Sequence, residues 1–73
     1  MTDEKFIIRA YGKSELAMMY LPHLGKETAR KRLREWLKLN PRLRHIAKNK
    51  SKFYLPKQVK MIVEEFGEPF NIE

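Results

Sequence analysis

The chain has no cysteine, only three glycines and a single tryptophan, and its nine acidic residues are outnumbered by sixteen lysines and arginines. Without cysteine there is no disulfide framework, no thiolate nucleophile and no thiolate metal site; a reducing compartment suits such a chain, so a cytoplasmic protein is expected. The N-terminal segment Met1–Lys5 carries two acids, and the apolar run beside it is only Phe6-Ile7-Ile8. That is too short for a signal core or a membrane span, so no membrane partner is expected. A Gly-rich phosphate loop is missing, as is any nucleophile with an evident base. His23 and His45 stand twenty-two residues apart with no carboxylates at metal spacing, and Glu64 and Glu65, adjacent on a helix, face about 100° apart and cannot form a dyad. The expectation is a protein that is not an enzyme, with no metal, no cofactor and no small-molecule substrate.

Seventy-three residues make one domain, 1–73, with 1–5 and 70–73 expected to fray at the ends. A chain this short buries only about 60% of the surface its unfolded form exposes, so its core must be compact. What the chain does hold in excess is positive charge, and it holds it in one place. Residues 26–52 carry eleven Lys/Arg against Glu27 and Glu35, net +9, while the rest of the chain carries five against seven, net −2. Local clustering of this kind is the electrostatic footprint of a nucleic-acid binder, because neutralising phosphates releases condensed counterions.

Periodicity predicts a strand over 6–11, short, aromatic and β-branched, with Phe6, Ile8 and Ala10 on one face and Ile7, Arg9 and Tyr11 on the other. Gly12 stands at an N-cap position, Glu15 three residues on, and Leu16, Ala17 and Tyr20 form an apolar stripe, predicting a short helix. Pro22 and Gly25 break it. A second helix follows over about 26–39. Ala29, Leu33, Trp36 and Leu37 fall within about 100° of arc, and Lys31, Arg34 and Lys38 point away from them. Asn40-Pro41 reads as a cap with proline at the first helical position, so 41–47 is expected to add a short helix using Leu43, Ile46 and Ala47. Residues 48–52 read as a basic loop and Phe53-Tyr54-Leu55 as a second strand pairing with the first. Pro56 opens the last helix, Val59, Ile62, Val63 and Phe66 line its apolar face, and Gly67 and Pro69 end it.

The expected fold is therefore mostly α with a small β element, in the order of a winged helix-turn-helix, β-α-α-(short α)-β-α. In that architecture the second helix enters the major groove and the wing touches the neighbouring backbone. Lys26, Thr28, Arg30, Lys31, Arg34 and Lys38 are then the expected contacts on the helix, and Lys48, Lys50, Lys52 and Tyr54 those on the wing. Tyr54 is the aromatic whose basic surroundings let it lie against a sugar or base. Trp36, beside Leu33 and Leu37, is expected in the core, with Tyr11, Tyr20, Phe53 and Phe66.

The run Phe6–Ala17, then Tyr20, Pro22, Ala29, Leu33, Trp36, Asn40-Pro41, Leu43, Pro56, Gln58-Val59, Ile62 and Gly67-Glu68-Pro69, resembles a family of small uncharacterised bacterial proteins, a domain of unknown function. More distantly, Glu15-Leu16-Ala17 on one helix followed by a turn and a basic helix resembles the DNA-binding modules of MerR-type regulators and phage excisionases. That resemblance implies double-stranded DNA as partner and a regulatory or excisionase-like accessory role. One departure is visible: Ala17 and Ala29 lie twelve positions apart, where the common helix-turn-helix has about ten. Two alternatives use the same charges, an adaptor module meeting an acidic protein partner and a structured-RNA binder reading shape, and the DNA-binding reading leaves room for a homodimer or a protein partner alongside the DNA.

Overall fold

The computed structural model describes residues 6–69; the ends expected to fray lie outside them. Its elements are β1 (Tyr11–Gly12), α1 (Lys13–Tyr20), α2 (Lys26–Leu39), α3 (Arg44–Ala47), β2 (Phe53–Tyr54) and α4 (Pro56–Phe66). The result is a mostly helical domain with a small two-stranded antiparallel sheet.

α1 begins where expected: Gly12 is its extended N-cap, and the Glu15 carboxylate accepts a hydrogen bond from the Gly12 N–H at 3.2 Å. α2 begins behind Gly25, extended in the same way. Each places an apolar stripe inward. Leu16, Ala17 and Tyr20 of α1 meet Ala29, Leu33 and Leu37 of α2, and Leu43, Ile46, Val59 and Ile62 close the same core. α4 opens on Pro56, with the Gln58 amide oxygen accepting from the Leu55 N–H at 3.0 Å. It stops at Gly67, whose φ of +87° lies in the region that residues with a Cβ avoid.

Three expectations need correction. The strand over 6–11 shrinks to Tyr11–Gly12. Residues 6–10 instead fold back over Tyr11. The Phe6 ring stacks on the Tyr11 ring at 5.1 Å, the Tyr11 hydroxyl donates to the Ile7 carbonyl at 2.7 Å, and Ile7 and Ile8 are left exposed. The short helix begins at Arg44 rather than Pro41, because the Asn40 side-chain oxygen accepts from the Arg42 N–H at 2.8 Å and holds 40–43 in a turn. Leu43, Ile46 and Ala47 are buried as expected. The third concerns parity in β2. The register pairs Tyr11 with Tyr54 and Gly12 with Phe53, so the two tyrosines share the inner face and Phe53 points out. Tyr54 is 2% exposed and Phe53 55% exposed, the reverse of the expected placement.

Trp36 is half-buried rather than fully enclosed, at the edge of the core, with its ring 5.5 Å from that of Phe66 and 6.5 Å from that of Tyr20. The Tyr20 hydroxyl donates to the Gly67 carbonyl, tying α1 to the end of α4.

Burial pushes both Tyr20 and Tyr54 up to about 12; Glu68 adds to the shift at Tyr20, while Arg30 and Arg34 oppose it at Tyr54. Both folded values lie above the unfolded one, so the stability these groups contribute is complete below about pH 10 and drains away as pH rises towards 12. Thermal melts are expected to be insensitive to this effect below pH 10 and to fall steeply between 10 and 12. A spectrophotometric titration should show two tyrosinates forming late; normal titration of all tyrosines in the folded protein would contradict the burial.

Candidate nucleic-acid interface

Seven of the eleven cations of the central third gather on one flank, while Lys26, Lys31, Arg32 and Arg42 lie elsewhere. Arg30, Arg34 and Lys38 follow one another at intervals of four along α2, on the flank that faces α3 and the loop 48–52. On this flank the surface is creased into two clefts. The first, about 370 Å3, is lined by Lys13, Ser14, Arg30, Lys50, Ser51 and Lys52. The second, about 350 Å3, is lined by Arg34, Lys38, Arg44, Ala47 and Lys48. Among the described residues no carboxylate lines either one.

Among the described residues the ion pairs are Arg9–Glu15 at 3.2 Å, Arg30–Glu27 at 2.8 Å and Arg42–Glu65 at 3.2 Å. Only the second touches the cationic flank. Glu27 is exposed, its carboxyl held below the usual range first by the Arg30 hydrogen bond and then by the Arg30 charge. Exposed i,i+3 pairs contribute only about 0.2–0.5 kcal/mol, so Glu27 is easily displaced by a stronger anion.

The loop that carries three of these lysines is pinned by Asn49. Its side-chain oxygen accepts from the Ser51 N–H at 2.7 Å, and its amide donates to the Phe53 carbonyl at 3.0 Å and the Gln58 side chain at 2.8 Å. The Ser51 hydroxyl both donates to the Phe53 carbonyl and accepts from its N–H, each at 2.9 Å. The Lys13 ammonium donates to the Asn49 carbonyl and lies 5.6 Å from the centre of the Tyr54 ring. Lys48, Lys50 and Lys52 thus stand on a braced turn, so less conformational freedom is lost when an anion binds.

The expected site residues divide accordingly. Arg30, Lys50 and Lys52 share the first cleft; Arg34, Lys38 and Lys48 share the second. Lys26, Thr28 and Lys31 are exposed on α2 but line neither. Thr28 is about 160° around the helix from Arg30 and lies on the opposite flank. Tyr54 is a correction: a ring 2% exposed cannot lie against a base. It serves as the floor under Lys13, and the exposed aromatic of this loop is Phe53.

Lys13, Ser14, Arg44 and Ser51 were missed by reasoning from sequence. Arg44 carried a usable signal, its i,i+4 spacing to Lys48. Lys13 carried none, because its place depends on the Lys13 N–H donating to the Lys52 carbonyl at 3.0 Å across the sheet.

A small helical domain with a cationic flank, on which Glu27 is the one ion-pairing carboxylate among the described residues, defines the class of protein. Residues 7–69 match the family model described as a domain of unknown function (DUF4248), and the chain belongs to that family. No curated protein matches the chain, and no solved structure does. None of the helices among the described residues is long and apolar enough to cross a membrane.

Proposed function

We propose that the protein binds double-stranded DNA as a winged helix-turn-helix, with α2 as the reading helix and the loop 48–54 as the wing. The observation that carries this reading is the convergence of Arg30, Arg34, Lys38, Arg44, Lys48, Lys50 and Lys52 on two clefts that, among the described residues, no carboxylate lines. A solvated helix face would need no such convergence of α2, α3 and the loop. Phe53, exposed beside Lys52, takes over the contact with sugar or base expected of Tyr54. A transcriptional regulator or an excisionase-like accessory factor of the cytoplasm fits this mode of binding.

The test is a mobility-shift titration with random duplex, single strand and structured RNA at several salt concentrations. With about five phosphates contacted, log K for duplex is expected to fall against log salt with a slope near −4.5. A flat response would defeat the reading, and tighter binding to structured RNA would change the partner.

A second reading, an adaptor for a protein partner, is favoured by one observation. Tyr20, Trp36, Leu39, Pro41 and Phe66 line an apolar trough of about 590 Å3, and Leu39 is 77% exposed there. Isolated exposed leucines are ordinary, so the charge convergence weighs more.

A further inference from the structure

We propose that the cleft lined by Lys13, Ser14, Arg30, Lys50, Ser51 and Lys52 seats a phosphate group. Its place in DNA binding rests on the reading above; its affinity for phosphate does not.

Four cations from three separate parts of the chain meet in this cleft: α1, α2 and the loop before β2. One carboxylate could neutralise only part of that charge, whereas a phosphate chain brings repeated charge and several acceptor oxygens. The donors are suitably arranged. Lys13 spends one N–H on the Asn49 carbonyl and keeps two, and Arg30 spends one nitrogen on the exposed Glu27 and keeps the rest of its fork. Ser51 differs: its hydroxyl is committed to Phe53, so its part is to hold the loop.

The Lys13 ammonium also gains from an arriving anion. Burial lowers its pKa, and the Arg34 and Arg30 charges lower it further. An arriving phosphate relieves a cation in that setting. Because no aromatic among the described residues lines the cleft, it recognises the backbone rather than a base, leaving Phe53 on the outer face of β2 for apolar contact.

The experiment is a pair of amide NMR titrations of the full chain, one with sodium tripolyphosphate and one with a short random duplex, alongside salt-dependent affinities of a Lys13→Gln/Ser14→Ala variant. Shifts are expected at residues 13, 14, 30 and 50–52 with both probes, joined with the duplex by those of the second cleft at 34, 38, 44 and 48. The variant should lose about fivefold in duplex affinity at physiological salt and about 0.9 from the salt slope, the effect of one phosphate contact. Lys50→Gln/Lys52→Gln, at two exposed positions, gives the same readout should the first variant fold poorly. Tripolyphosphate shifts in the cleft without duplex binding would uphold the seat, assign it to a free phosphate chain and remove the DNA reading. Duplex binding with shifts confined to α2, and with affinity and slope unchanged in both variants, would overturn the seat and leave the DNA reading standing. No shift at the cleft with either probe would overturn it as well.

Discussion

Leu33→Ala is expected to leave much of the protein unfolded at room temperature. Leu33 is fully buried on the inner stripe of α2 and belongs to the core shared with α1, α3 and α4. Truncating a leucine in such a place costs about 2–5 kcal/mol, combining lost transfer energy with the cavity left behind. A domain this small, with no cysteine to form a disulfide, holds only about 3–5 kcal/mol of net stability, so the loss is comparable to the whole. A urea titration followed by circular dichroism should show the transition shifted to very low denaturant or missing. Leu39→Ala is the matched control: the same substitution on the same helix, at a side chain 77% exposed, should move stability by no more than about 0.5 kcal/mol. Equal losses from the two would mean that the inward and outward faces of α2 are wrongly assigned.

That assignment was legible because helical periodicity is a local property. The stripes of α1, α2 and α4, the glycines ahead of α1 and α2 and the Gly67 stop follow from residues within a turn or two of one another. The β element was not legible in the same way. Whether Phe53 or Tyr54 faces inward depends on which of them lies opposite Tyr11, and a two-residue strand contains no alternation from which to read it. A shift of one residue exchanges the faces, and the shift is decided by contacts far along the chain, such as the Lys13 N–H to the Lys52 carbonyl. The same reasoning governs the interface. The basic character of residues 26–52 is plain in the sequence, but which cations meet depends on where α3 and the loop lie against α2. Lys31, adjacent in sequence to Arg30, lines neither cleft, whereas Lys13, seventeen positions from Arg30, shares one with it. Asn40 and Asn49 act below the level of pattern: each is one polar residue whose side chain fixes a turn.

Arg30→Ala/Arg34→Ala/Lys38→Ala is expected to weaken duplex binding by about two orders of magnitude at physiological salt while the thermal midpoint barely moves. The affinity figure follows from counterion release: three phosphate contacts carry about 2.7 of the salt slope, worth about a hundredfold between molar and physiological salt. The stability figure follows from exposure and geometry. Among the described residues Arg30 has only the exposed Glu27 as ion-pair partner, Arg34 reaches the Ala47 carbonyl at a long 3.4 Å, and alanine is the best helix former at all three positions. An equal reduction in net charge placed elsewhere separates local from general electrostatics. Arg32→Ala with Lys57→Ala and Lys60→Ala removes three charges that line neither cleft, and should cost only a few-fold. Salt-dependent affinities of the two triple variants, each checked by thermal melting, decide the matter. Similar losses would show that net charge alone attracts the duplex; a large loss confined to the Arg30 set would show that α2 grips it.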